Sequence, residues 1–395
     1  MIWPTQKLEA VADFCLGKML DQKKNRGEPL PYLANANVRW GEFDLADLRE
    51  MRFEQHELDR YGLKYGDIVM CEGGEPGRCA IWKEQCSSMM IQKALHRIRP
   101  HDCLRPEFLF YFFLHKGRTG HLASLFTGST IKHLPREKLA LVEVPLPPRS
   151  AQDQIASVLS AYDDLIENNR RRIQLLEQAA RLLYKEWFVH LRFPGHEHTR
   201  IIDGVPEGWE KQVLGDICLE VRETVSPTTL EANTPYIGLE HIPRRSITLC
   251  EWGQAEQVTS SKHRFREGEI LFGKIRPYFH KVGVALTDGV ASSDAIIIRP
   301  ETPNLLALVL MTTSSDGFVA VTAQQMKEGS KMPRADWKQM QHYPVPLPPD
   351  GLLRAFSDLV DPILNQLKTM AFANKRLKDA RDLLLPKLMN GEVRV

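Results

Sequence analysis

The sequence predicts an α+β fold: two globular blocks of mixed strand and helix, related by an internal repeat, each followed by a long helix. Three observations predict it. The pentapeptide Val144-Pro145-Leu146-Pro147-Pro148 recurs as Val345-Pro346-Leu347-Pro348-Pro349, an offset of 201 in a chain of 395 residues. Self-similarity at that distance marks duplication of a whole structural block. Downstream of each pentapeptide, apolar residues recur at alternating spacings of four and three, the 3.5-residue period of a coiled-coil seam. Upstream, short β-rich runs are broken by Gly, Pro and charged turns.

The elements follow in chain order. In the first block, residues 31–38, 67–71, 78–82 and 94–98 read as strands. Residues 106–125 read as one helix, apolar nearly all round through Phe108–Leu114 and therefore buried. Residues 304–321 are its counterpart, and these aromatics read as core rather than as a stacking platform. The repeat matches Asp13-Phe14-Cys15-Leu16 with Asp216-Ile217-Cys218-Leu219, and Pro31-Tyr32-Leu33 with Pro235-Tyr236-Ile237. It matches Gly66-Asp67-Ile68-Val69 with Gly268-Glu269-Ile270-Leu271, and Ile98-Arg99-Pro100 with Ile298-Arg299-Pro300. Pairing Cys15 with Cys218 assigns both thiols a packing role.

The first long helix carries the seam Ile155, Leu159, Tyr162, Ile166, Asn169, Ile173, Leu176, Ala180, Leu183, Trp187. In the second the shifted positions are Phe356, Val360, Ile363, Leu367, Met370, Asn374, Leu377, Arg381, Leu384, Leu388. Asn169 and Asn374 are the central polar positions, where a buried Asn costs stability and sets register. Pro362 is expected to kink or restart the second helix. The globular blocks diverge more than the helices, which suits two different ligands of one class.

Composition narrows the function. The apolar fraction of 43% and charged fraction of 26% are those of a folded globular protein. No apolar run is long enough for a spanning helix, and no signal peptide is visible at the start, so a cytoplasmic, membrane-free protein is expected. Seven Cys without close pairs read as reduced, buried thiols, because zinc motifs need two ligands two to four residues apart. The net charge of +2 gives no sign of bulk attraction to nucleic acid.

Family-like segments then appear in order within the repeat. They are Pro145-Leu146-Pro147-Pro148 through Gln154-Ile155 and Leu159, and Leu183-Tyr184-Lys185-Glu186-Trp187-Phe188-Val189 with Phe193-Pro194-Gly195. Pro206-Glu207-Gly208-Trp209 opens the second block, and Leu385-Pro386-Lys387-Leu388-Met389-Asn390-Gly391-Glu392-Val393 closes the chain. Over essentially its whole length the sequence resembles the specificity subunit of type I restriction-modification enzymes. The resemblance implies target recognition domains at 1–148 and 206–349, a central spacer helix at 149–195, and a distal spacer helix with tail at 350–395. It implies an antiparallel two-helix coiled coil that separates the domains, each of which reads one half of a split target in double-stranded DNA. The implied partners are two modification subunits and the restriction subunits. S-adenosylmethionine, ATP and Mg belong to those partners, and none of them to this chain. Ile2-Trp3-Pro4 replaces a fuller Pro-x-Gly-Trp opening, so a truncated or differently packed first strand is expected.

Base readout needs donors and acceptors in the major groove. Two loops occupy equivalent places after a strand: Glu72–Arg78, with Glu75 and Arg78, and Gly273–Lys281, with Lys274, Arg276, Tyr278 and Lys281. A second equivalent pair suits phosphates: Thr127–His133, with Ser129, Lys132 and His133, and Lys327–Lys331, with Ser330 and Lys331. Further basic candidates are Lys23, Lys24 and Arg26, Arg244 and Arg245, and Lys262 with Arg264. The Gly-rich loop at Glu72–Gly77 lacks a Gly-Lys-Ser/Thr ending and a following helix, which weakens a P-loop assignment. The rival functions are a stand-alone methyltransferase or nuclease, or a coiled-coil adaptor. No Asn/Asp-Pro-Pro-Tyr/Phe, Gly-x-Gly or metal-ligand motif supports the first, and the duplicated variable blocks count against the second. Two reading heads closed around a duplex by partners do not require a strongly basic chain, so the charge of +2 is compatible with DNA recognition.

Overall fold

The computed structural model describes residues 3–21, 25–324 and 333–393. Contacts divide the chain into two units, Met1–Leu165 with Leu377–Val395, and Ile166–Arg376. The division falls inside both long helices, Arg149–Tyr184 and Asp350–Met389.

In the first unit an antiparallel sheet takes the strand order Ala12–Leu16, Leu95–Pro100, Ile68–Cys71, Cys79–Ile81. All four residues of Ile68–Cys71 are buried. Side chains alternate across a strand, and here each face has its own core. Ile68 and Met70 pack with the helix Pro106–Arg118, while Val69 and Cys71 pack with Leu33, Trp82 and Ile91. That is why the run reads as continuously apolar. A second sheet orders Arg49–Phe53, Glu28–Leu33, Met90–Ile91, with the last pair parallel.

The second unit repeats this plan. Its four-stranded sheet orders Cys218–Val221, Ala295–Pro300, Ile270–Gly273, Val282–Val284. Ile270 and Phe272 face one core and Leu271 the other. The register repeats too: Ile68 pairs with Ile98 and Ile270 with Ile298, while Tyr32 pairs with Met90 and Tyr236 with Val290, both parallel. Even an ion pair on a buried carboxylate is duplicated. Asp67 accepts from Arg99 at 2.6–2.7 Å and from the Lys64 amide, and Glu269 accepts from Arg299 and from the Arg266 amide. Each carboxylate follows a glycine at positive φ, Gly66 at 87° and Gly268 at 83°, a conformation that costs glycine nothing.

Several expectations are corrected. Ala12 pairs with Pro100 and Cys218 with Pro300, so Cys218 corresponds to Ala12 and not to Cys15. Ladder pairing sets the register, and a four-residue likeness slipped by three does not. Cys218 is buried and pushed up to about 12, whereas Cys15 is half-buried and donates to the Arg60 carbonyl. Residues 31–38 are a strand over Glu28–Leu33 and a separate turn over Asn35–Asn37. The helix expected to reach residue 125 stops at Arg118, beyond which Gly120 sits at a φ of 74°.

Its counterpart breaks into Leu306–Thr313 and Asp316–Gln324, bent by 63°. The Ser314 carbonyl is taken by His280 and Arg181, and Ser315 Oγ accepts from the Phe318 amide, starting a new helix. The opening strand is indeed shorter in the first unit: Thr5–Lys7 pairs with Glu143–Pro145, but Glu210–Val213 with Pro344–Leu347.

The long helices are Arg149–Tyr184, continued by a widened π turn at Lys185–Val189, and Asp350–Met389. The second runs without a break through Pro362, which is exposed, so water can take the carbonyl its missing N–H leaves free. In the second unit Asn169 meets Asn374 while Trp187 meets Phe356, so the helices there are antiparallel. Asn169 Nδ2 donates to Asn374 Oδ1 at 2.9 Å. In the first unit Arg381 is buried against Asp163, which also accepts from the Tyr111 hydroxyl at 2.7 Å. Among the described residues no single helix is long and apolar enough to cross a membrane.

Candidate nucleic-acid interface

In each unit a loop leaves the C-terminal end of the central strand and is stitched to a second loop from far along the chain. In the first unit the Leu134 amide donates to the Glu72 carbonyl at 2.7 Å, and Gly73 bridges to His133. In the second the Ala335 amide donates to the Lys274 carbonyl at 2.8 Å, and Ile275 bridges to Arg334. In the first unit the structure therefore joins the two loops that the sequence nominated separately, whereas Lys327–Lys331 of the second unit lies outside the described residues.

In the first unit Thr127 and His133 exchange backbone hydrogen bonds at 2.8 Å and close a finger. Gly128, at a φ of 92°, turns its base, and Ser129, Thr130, Ile131 and Lys132 are all exposed. His133 is half-buried, its Nδ1 3.1 Å from Glu72. Glu75 is exposed and pairs with Arg78 at 2.7 Å. Arg78 itself is sunk in the loop base and donates to the Asn35 carbonyl at 2.9 Å, so it holds the loop. Arg26 is exposed. Lys23, Lys24, Ser330 and Lys331 lie outside the described residues.

In the second unit the loop is tightly turned and aromatic. Arg276 at a φ of 50° and His280 at 55° flank a tight turn at Pro277–Phe279, and Arg245 at 57° packs beside it. Three of the seven non-glycine residues with positive φ among the described residues thus gather in one place. Such strain persists only where surrounding contacts impose it, and it clusters at functional sites. The contacts are visible. The Arg245 amide donates to the His280 carbonyl, and buried His280 bonds the Ser314 carbonyl at 2.7 Å. Burial holds the His280 imidazole below its usual range.

The Arg244 guanidinium lies 4.1 Å from the Phe279 ring centroid, and that of Arg276 lies 5.9 Å from it. Lys274 and Lys281 turn inward to the carbonyls of Ser293 and Leu239, and burial lowers the pKa of both. Tyr278 is exposed. Arg245 pairs with Asp316 at 2.9 Å and Arg264 with Glu223 at 3.4 Å. Lys262 is buried and its ammonium bonds Ser260, which turns it away from the surface.

Two further residues act from the first long helix. Glu177 Oε1 accepts from the Ser246 hydroxyl at 2.7 Å, the Ile247 and Thr248 amides at 3.2 and 3.0 Å, and the Thr248 hydroxyl at 2.5 Å. One turn on, Arg181 donates to the Arg245 carbonyl at 2.9 Å. Together they clamp the segment that carries Arg244. The sequence signal was a charged pair four residues apart beside the seam, but the 70-residue span to its partners was not legible. Among the described residues no three His, Cys, Asp or Glu side chains gather as a metal cage.

Residues 3–178 match the family model described as the type I restriction modification DNA specificity domain. The chain is 25% identical over 416 residues to the type I restriction enzyme MjaIX specificity subunit of Methanocaldococcus jannaschii, covering 100% of this chain and 94% of that protein. Both comparisons liken the chain to the specificity subunits of type I restriction-modification enzymes. A second relative of this chain, the EcoDI specificity subunit of Escherichia coli, is 24% identical over 331 residues, 73% of this chain and 70% of that one. The fold matches the crystal structure of a type I restriction-modification S subunit from M. genitalium, with a TM-score of 0.56, 16% identity, and coverage of 98% and 96%. Both relatives are named as specificity subunits of type I restriction enzymes.

Proposed function

We propose that this chain is a non-catalytic type I specificity subunit that reads a split DNA target, one half-site per unit, and docks modification subunits on its helices. One observation carries the proposal. The two units share strand order, register and an ion pair on a buried carboxylate, yet the loops that leave the same place differ in chemistry. Glu72–Gly77 offers glycines and carboxylates, and Gly273–Lys281 offers guanidinium, ring and hydroxyl. A common scaffold with different tips suits two different half-sites, and an internal two-fold suits the approximate two-fold of duplex DNA. Asn169 and Asn374 fix the register of the helices that set half-site separation.

Docking is supported by Leu175, Leu182 and Val189, spaced by seven residues and 58–61% exposed. Apolar side chains repeated on an outer helix face suit a partner protein. The partners bring S-adenosylmethionine for adenine-N6 methylation, and ATP and Mg for the restriction steps. This chain supplies position along the duplex. The test is single-molecule mapping of N6-methyladenine in host DNA with and without this gene. A split motif that vanishes with the gene supports the proposal. A contiguous motif, or one indifferent to the gene, overturns it.

A further inference from the structure

We propose that Arg276 reads a guanine for the second unit through N7 and O6 in the major groove, with Phe279 and Arg244 forming the platform that orients it. The proposal rests on the DNA-reading function above and names the base class read at that site. Among the described residues the Arg276 guanidinium meets no carboxylate within ion-pair distance, and it lies over the Phe279 ring. Lys274 and Lys281, on the same loop, are turned onto carbonyls. The loop therefore presents Arg276 and Tyr278 outward, with Arg244 stacked behind.

The backbone under Arg276 is pinned on both sides. Its amide donates to the Pro333 carbonyl at 2.9 Å, its carbonyl accepts from the Phe279 amide at 2.8 Å, and its φ is 50°. A phosphate requires only a point charge, which a mobile lysine supplies. A planar fork held in a fixed place matches two acceptors on one base edge. Guanine presents that pair, N7 and O6, in the major groove. The first unit supplies the contrast: its equivalent loop, Glu72–Gly77, has no cation, and Arg78 just beyond it is tied to Glu75 and the Asn35 carbonyl. Donors are thus offered by one head and acceptors by the other.

The experiment uses the full chain assembled with the modification subunits of its own system. The second unit's half-site is first identified as the half that changes when residues 206–349 are exchanged for those of a relative. Each guanine in that half is then replaced singly by 7-deazaguanine, and binding is measured. One replacement weakens wild-type binding roughly 5- to 100-fold, the discrimination expected of a bidentate contact, and R276Q abolishes that penalty. F279L shrinks the penalty while leaving the salt dependence of binding unchanged, as a positioning residue should. A penalty that persists in R276Q, with binding merely weaker on every duplex and the salt slope reduced by about one, makes Arg276 a phosphate contact and overturns the proposal. A half-site whose binding depends on no guanine N7 also overturns it, while the split target leaves the broader function standing. Absence of any split target overturns both.

Discussion

Glu177→Ala tests whether the first long helix holds the reading loop of the second unit. One carboxylate oxygen accepts four hydrogen bonds, two of them from the buried amides of Ile247 and Thr248. The two hydroxyls can rotate to other partners, whereas of the amides only that of Thr248 has a second acceptor, a long 3.5 Å contact to Ser246 Oγ. Each buried donor left unsatisfied costs about 1–3 kcal/mol, so the pair gives about 2–6 kcal/mol. Glu177→Gln keeps the acceptor oxygen and loses only charge assistance, a cost of about 1 kcal/mol. The assay is hydrogen exchange of the Ile247 and Thr248 amides in the full chain, which reports local opening. At about 1.4 kcal/mol per tenfold, E177A accelerates their exchange by at least about 30-fold, and E177Q by far less. DNA binding weakens in E177A, because Arg244 lies next to the released segment. Exchange within threefold of wild type in E177A would refute the clamp.

Three further outcomes follow from the same geometry. Arg381→Ala leaves Asp163 and the Tyr111 hydroxyl without their cation at a buried position and lowers stability by about 3 kcal/mol in denaturant titration; a loss below about 0.5 kcal/mol, the scatter of neutral surface changes, would contradict this. Burial depresses the pKa of His96 and His280 in the fold, so the unfolded chain binds those protons more readily. Their contribution is full above about pH 6.5 and is lost as pH falls through that value toward the depressed folded pKa. The denaturation midpoint therefore drops between about pH 7.5 and about pH 5.5, less steeply in H280Q, and an unchanged slope in that variant would rule His280 out. Leu175→Glu with Leu182→Glu changes stability by no more than about 0.5 kcal/mol, because both are exposed, yet weakens assembly with modification subunits in analytical ultracentrifugation. Undiminished assembly would place the docking surface elsewhere.

The repeat, the seam and the equivalent placement of the two loops after a strand were legible because each is a local pattern. Seam residues such as Ile155, Leu159, Ile173 and Leu367 are buried, while Leu175, Leu182 and Leu383 are exposed, so period alone chose the face. What was not legible depends on long-range partners. Nothing near Ser314 in sequence shows that His280 and Arg181 take its carbonyl and break a helix there. The false match of Cys15 with Cys218 had the same origin, since pairing with Pro100 and Pro300 decides that register. Among the basic candidates, sequence could not separate Arg78 and Lys262, held by their own loops, from Arg244 and Arg276, which face outward.

The central claim is that each unit reads its own half-site. It is tested most directly by exchanging residues 206–349 for those of a relative with a different target, assembling the chimaera with its modification subunits, and mapping the methylated sites by single-molecule sequencing. The account predicts that one half of the split motif changes while the other half and the spacing between them stay as in the wild type. A change in both halves, or in neither, would contradict it.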